Sequence, residues 1–278
     1  MKLEDTGEQM SELLRDTQSA FDSVALDYDG PLGNNSLVQR IRRRTLSAVR
    51  RHLFPPAHIL ELGCGTGLDA ETLGGEGFHV TAIDWSPLMV QRARERILRS
   101  GLQEKVEVLQ MGFHQLSNLP SESFDGVYSD LGPLNCAADP EGLADSLKRI
   151  VKPRGKVVAS VIGRVCPSEW IYHVMKGQWR RANLRFRPGL VPVPLNGRTV
   201  WTRYFMPSDF SNIFAASRFK VIGLRAIGLF VPPPYMIGFA ERHPAVIDAL
   251  QKLDDSMGSW PLLRNYGDHF LIVMQKNV

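Results

Sequence analysis

The 278-residue chain is short of cysteine, of unbroken apolar runs and of net charge, and each shortage removes a class of protein. Its three cysteines, Cys64, Cys136 and Cys166, stand at no metal-ligand or Cys-x-x-Cys spacing. Neither a zinc site nor a disulfide framework follows from them, so no metal is expected and a reducing, cytoplasmic setting is the simplest one. The opening MKLEDTGEQM is acidic and polar, without the basic-then-apolar order of a secretory signal. The longest apolar stretch, 221–240, is broken by Arg225 and by Pro232, Pro233 and Pro234, which argues against a spanning helix. Thirty-three basic against 29 acidic side chains leave a formal +4, too little to demand nucleic acid. Repeats and low-complexity tracts are also missing. What remains is a globular composition, 44% apolar, in a length that suits two domains or one elaborated α/β domain.

Charge is nevertheless segregated. Residues 1–29 carry eight acids against Lys2 and Arg15, whereas Ser36 to His52 hold six arginines and no acid. Leu37, Ile41, Leu46 and Val49 give that second segment a helical stripe, so it reads as an amphipathic helix with a mainly solvated basic face. Residues 1–52 are therefore expected to form an N-terminal helical cap.

From residue 57 short apolar runs alternate with helical stretches. Runs at 58–62, 78–83, 106–109, 124–128 and 156–162 predict strands, joined later by 219–224 and 270–274. Between them, Ser86 followed by Pro87 predicts a capped helix that ends at Gly101. The alternation predicts an α/β fold with a mostly parallel sheet covered on both faces. Residues 53–278 read as one domain, with extra segments at about 163–205 and 226–268.

The first strand runs into Glu61-Leu62-Gly63-Cys64-Gly65-Thr66-Gly67 and then a helix. Glycines between a strand and a helix let a ligand approach the backbone. The second strand ends at Asp84, where an acid can meet a ribose diol. A dinucleotide fingerprint would need glycine at position 68, which is Leu68, and Glu61 would repel a pyrophosphate while attracting a cationic amine.

These segments, Ile59 to Gly67, Ala82-Ile83-Asp84-Trp85-Ser86 and Phe124-Asp125-Gly126-Val127-Tyr128-Ser129, resemble class I S-adenosylmethionine-dependent methyltransferases. Phe21, Asp22, Ala25, Tyr28 and Asp29 are similar to the entry helix of their small-molecule, type 11/25-like branch. The resemblance implies a Rossmann-like seven-stranded sheet with an antiparallel last strand, and S-adenosyl-L-methionine as cofactor. It implies that Gly63, Cys64 and Gly65 lie against the methionine part, with Glu61 near the ammonium. Asp84 would take the ribose, Trp85 and Met89 the adenine, with Tyr28 and Ser129 completing the site. The acid that this family often carries after the third strand is replaced by Met111-Gly112-Phe113, so adenine would rest on Gly112 and Phe113.

Both extra segments are expected to cover the cofactor as lids. The first mixes eight basic residues with Trp170, Tyr172, Trp179, Phe186 and Trp201, a composition that also fits peripheral membrane contact. The second is apolar around Phe230, Tyr235, Met236 and Phe239. Together they favour an apolar or aromatic small-molecule acceptor, anionic or lipid-like in part, over nucleic acid. An RNA methyltransferase and a non-catalytic cofactor-binding regulatory protein remain alternatives. No catalytic base declares itself; by position the candidates are Tyr128, Asp130, His173, Tyr235, His243 and His269, with Asn135 as an acceptor-orienting group. Oligomeric state is not legible.

Overall fold

The computed structural model of the chain describes residues 3–30 and 33–278; residues 1, 2, 31 and 32 of the expected cap lie outside the described residues. Among the described residues there are nine strands: β1 (His58–Leu62), β2 (His79–Asp84), β3 (Val106–Gln110), β4 (Phe124–Ser129), β5 (Val151–Ile162), β6 (Val191–Leu195), β7 (Arg198–Thr202), β8 (Phe219–Ile227) and β9 (His269–Lys276). Seven of them form one sheet in the order β3-β2-β1-β4-β5-β9-β8. The first five are parallel, and β9 runs antiparallel between β5 and β8. All seven expected strands are there, within a few residues at their ends.

Side chains alternate along these strands, so each face owns a core. Leu60, Leu62, Val127 and Ala159 point into one cluster, while Ile59, Val80, Tyr128 and Val158 point into the other. Among the described residues the α-helices are α1 (Leu3–Asp22), α2 (Ser36–His52), α3 (Leu68–Gly75), α4 (Pro87–Arg99), α5 (Pro140–Ile150), α6 (Pro167–Met175), α7 (Trp179–Ala182), α8 (Pro207–Ala216), α9 (Ile237–Arg242) and α10 (Pro244–Met257). α5 and α8 cover the first face, and α2, α3 and α4 the second. α4 starts as its sequence dictates: the Ser86 hydroxyl accepts from the Met89 N–H at 3.1 Å, with Pro87 in the first turn. α2 is capped by Asn35, whose side chain accepts from Leu37 and Val38.

Two expectations about the periphery change. α2 is a core helix, with Leu46 and Val49 buried against the sheet, so of the expected cap only α1 and the turn after it stand over the strand ends. β6 and β7 were not anticipated. They form a hairpin across Asn196-Gly197, both at positive φ (47° and 73°), as a two-residue type I′ turn requires. The hairpin lies on α1: Trp201 donates its indole N–H to Asp16 at 3.0 Å and its backbone N–H to the Thr17 hydroxyl at 3.2 Å.

The second extra segment goes elsewhere. Val231, Ala240 and Ile247 pack against Leu37 of α2, and Arg40 pairs with Asp248 of α10 at 2.5 Å. Topology places the start and end of 226–268 at the strand ends, but its apolar residues find the exposed flank of α2.

Candidate active site

The parallel strands deliver their last residues to one edge, and the turns leaving them surround a cavity of about 770 Å³. Its floor is the glycine turn. Gly63 and Cys64 both donate backbone N–H groups to Ile83 O at 2.9 Å, locking the turn to β2. Gly63 (φ 72°) has no room for a side chain: a Cβ would lie 2.4 Å from that of Pro133. Gly65 (φ 52°) instead faces the Tyr28 ring, where a Cβ would sit in ordinary contact 3.8 Å from Cε1, and its bare backbone lines the cavity.

Asp84 closes β2 with Oδ2 accepting from Gly65 N–H and Oδ1 from Ser86 N–H, each at 2.9 Å. Each oxygen keeps a lone pair for an incoming hydroxyl. Burial raises its pKa, and these two backbone donors oppose that. Trp85 and Met89 line the cavity beside it, and the buried Trp85 Nε1 has no partner. Phe113 also lines it, as does His114, whose ring meets Trp85 edge-on at 4.9 Å. Gly112 is there too, but its N–H is taken by Gln115 Oε1 at 3.0 Å, so adenine recognition through that donor is corrected. Phe113, the Trp85 ring and Met89 are what remain.

Under the turn lies a buried carboxylate cluster. Glu61, Asp69 and Asp130 are all at most 7% exposed and all line the cavity. Arg42 Nη1 reaches Asp69 Oδ1 at 2.7 Å, and the Tyr128 hydroxyl donates to Asp69 Oδ2 at 3.0 Å. Thr45 and Ser160 both donate to Asp130 Oδ1, leaving its Oδ2 without a partner. Glu61 Oε2 has none either. Burial, with Asp69 next to it, drives the Glu61 carboxyl well above its usual range; Asp69 is raised by burial against the pull of Arg42. Three carboxylates against one guanidinium make a pocket floor that attracts a cation.

The roof comes from α1 and the hairpin. Met10, Leu14 and Phe21 of α1 and Val193, Leu195 and Val200 of the hairpin line the cavity together. Gln18 bonds the Trp85 carbonyl at 2.9 Å, and Thr66 bonds Asp29, so the roof and the floor are joined. Burial raises the Tyr28 phenol to about 12, so it stays neutral between them.

Ten of the eleven expected cofactor residues therefore meet in one cavity: Tyr28, Glu61, Gly63, Cys64, Gly65, Asp84, Trp85, Met89, Gly112 and Phe113. Ser129 does not. It is fully buried and donates to Leu62 O at 2.9 Å, clamping β4 to β1. Of the catalytic candidates only Asp130 reaches the cavity. Tyr128 sits beneath it on Asp69. His173 is buried in the first insertion, held by Gln178 at 2.8 Å with Tyr235 stacked on it at 6.3 Å. His243 precedes α10 and touches Phe239, and His269 on β9 bonds Asp268 at 3.0 Å. Asn135 is a staple, bonding Ile162 and Arg203 backbone groups. Nor does any residue of 226–268 line the cavity, which removes that segment as a lid.

Sequence reading missed Arg42, because three consecutive arginines do not reveal which one turns inward. It also missed the hairpin, although Asn196-Gly197 signals one. Cys166, Glu169 and Asp268 come together as well, but both carboxylates bond Arg185, which fills the space between them.

The donor set fits S-adenosylmethionine: an unpartnered buried carboxylate for its ammonium, a diol acceptor at Asp84, and a bare glycine backbone between them. No helix among the described residues is long and apolar enough to cross a membrane.

Residues 60–159 match the family described as "Methyltransferase domain". A ubiquinone biosynthesis O-methyltransferase of Xylella fastidiosa is 32% identical over 149 residues, 54% of this chain and 58% of that protein. The chain thus spans little more than half the length of such curated relatives. A protein of the same name from Alkalilimnicola ehrlichii is 27% identical over 194 residues, 69% of this chain and 73% of its own. Among solved structures, the 1,6-didemethyltoxoflavin-N1-methyltransferase of Burkholderia thailandensis, with its substrate and S-adenosylhomocysteine bound, superposes with TM-score 0.60 at 16% identity. It covers 98% of this chain and 90% of that one, and it shares the fold. By motif and sequence match residues 60–159 are similar to the methyltransferase domain family, and the strand order around them is that of the S-adenosylmethionine-dependent methyltransferase fold.

Proposed function

We propose that the protein transfers a methyl group from S-adenosylmethionine to an apolar or aromatic small molecule. The observation that carries this reading is a single cavity with two chemically different ends. The floor is anionic and hydrogen-bonding; the roof, from α1 and the hairpin, is aliphatic and aromatic. A polar cofactor and an apolar acceptor would meet between them.

S-adenosylmethionine supplies an activated methyl group on a sulfonium that serves as its own leaving group. The chain's part is to bind, align and keep water out. Asp84 would accept the ribose hydroxyls while Gly65 and Ser86 hold its carboxylate still. Glu61 and the Gly63 carbonyl would receive the ammonium, and Arg42, paired with Asp69, would turn its guanidinium to the carboxylate. Asp130 belongs to the buried floor, with Oδ1 held by Thr45 and Ser160 and Oδ2 without a partner among the described residues; as the one catalytic candidate lining the cavity, it would take the proton of an acceptor hydroxyl that reaches the floor. Phe21, Val193 and Leu195 form the wall against an acceptor ring.

The names of the relatives support a phenolic acceptor. The test is transfer of label from methyl-labelled S-adenosylmethionine to catechols and to their prenylated forms. Label in the organic extract supports the reading. Labelled RNA with unlabelled phenols would replace it by the RNA alternative, and tight cofactor binding with no transfer to either would leave a binding protein.

A further inference from the structure

A second concavity, of about 370 Å³, lies between α2, α10 and β8 and shares no lining residue with the methyl-transfer cavity. Five arginines line it: Arg40, Arg43, Arg44 and Arg51 from α2, and Arg225 from β8. Ala48 and Leu271 give it an apolar part, and Ser47, Gln251 and the Asp255 carboxylate also line it.

The arginines are only partly neutralised. Arg40 pairs with Asp248 at 2.5 Å and Arg44 with Asp255. Arg225 leans on the Asp254 and Asp255 carbonyls at 3.2 and 3.1 Å, with the Asp255 carboxylate 4.0 Å away. The Asp254 carboxylate is buried and turned to the backbone N–H groups of Gly228 and Phe230. Arg43 reaches only a helix carbonyl, that of Gln39, and Arg51 has no carboxylate within reach among the described residues. Counting Asp248, Asp254 and Asp255 against five guanidiniums leaves an excess of two positive charges around one hollow.

The paired guanidiniums are held partly out of water, while Arg43 and Arg51 face solvent at the mouth of the hollow. The side chains of Arg40, Arg44 and Arg225 are 21, 15 and 24% exposed, and Nε of both Arg40 and Arg225 is buried without a partner. Burial first, then Arg225, Arg40 and Arg43 beside it, lowers Arg44 to about 10. Like charges gathered around a partly apolar hollow repel one another more than they would on an open helix face. A bound dianion offsets that repulsion, and guanidinium forks match phosphate oxygens two at a time.

We propose that this groove binds a soluble phosphate-bearing anion of the phosphate monoester or pyrophosphate class. The site stands whether or not the chain transfers methyl groups, because α2 is the only element common to the two hollows.

The test is calorimetric titration of the full chain with sodium pyrophosphate at constant ionic strength, with sodium chloride as the blank. Saturable binding is expected. Arg43→Glu and Arg51→Glu, both at exposed positions, should weaken it by about tenfold or more each. Both variants should keep the parent's S-adenosylhomocysteine affinity, which shows that they are folded. A second arm sediments the protein with phosphatidylcholine vesicles containing phosphatidic acid. A response that never saturates, or variants that bind pyrophosphate like the parent, overturns the proposal. Capture by the vesicles without binding of free pyrophosphate overturns it too, in favour of a lipid surface.

Discussion

Gly65 donates its backbone N–H to Oδ2 of Asp84 at 2.9 Å, so the turn after β1 and the end of β2 behave as one piece. The same contact fixes the acid before any ligand arrives. Its remaining lone pairs are aimed by the backbone, and little ordering is left to be done on binding.

Asp84→Ala should therefore weaken S-adenosylhomocysteine binding by about tenfold or more, roughly 1.4 kcal/mol, with the acceptor wall untouched. Calorimetry measures it. Unchanged affinity would remove Asp84 from the ribose.

Glu61 gives a pH signature. Its folded pKa lies well above 4.5, so the protonated carboxyl contributes stability that is full below pH 4.5 and is lost as pH rises through the folded value. Without ligand, Tm should fall over that rise. S-adenosylhomocysteine brings an ammonium to the ionised form, so the gain in Tm on binding should widen with pH. Glu61→Gln should flatten both trends, leaving the smaller contribution of Asp69. A ligand-induced gain that is independent of pH in the parent would separate Glu61 from the ammonium.

Val193 and Tyr235 separate the two insertions. Val193→Asp puts a carboxylate in the apolar wall and should raise the acceptor KM by about tenfold while cofactor affinity stays within about twofold. Tyr235→Phe, outside the cavity, should change neither constant. Loss of turnover in Tyr235→Phe with normal folding would return the second insertion to the site.

Arg185 anchors the first insertion to the sheet. It donates to Gly163 O at 2.9 Å, to Asp268 Oδ1 at 2.6 Å and to Glu169, all in a buried setting. Arg185→Met takes the guanidinium from the buried Asp268 and the half-buried Glu169 and should cost about 3 kcal/mol in denaturant unfolding. Asp268 is held below its usual range chiefly by His269 and Arg185, against burial, so its share of stability is present above pH 3.8 and lost as pH falls below that. A cost under 1 kcal/mol would mean the cluster relaxes into solvent.

The sheet was legible because buried parallel strands are written as short, nearly continuous apolar runs, such as Ile59-Leu60 and Val80 to Ile83. The glycine turn was legible for a related reason: positive φ and close packing leave residue choice little freedom at Gly63. The periphery obeys weaker rules. Pro192 and Pro194 argue against a strand, and they are tolerated because β6 belongs to a two-stranded ribbon with a free edge. The second insertion has the composition of a pocket wall, but burying apolar area against α2 satisfies it equally well, and composition carries no direction. Arg42 faces inward because Asp69, on another helix, meets it there.

The link between Asp16 and Trp201 spans 185 residues of chain. During synthesis α1 leaves the ribosome long before the hairpin that completes its hydrogen bonds exists. The roof must therefore assemble after β5, and until then the acidic floor stays open to solvent. A nascent chain arrested before residue 190 would carry the glycine turn and Asp84 but lack the wall that shelters an acceptor.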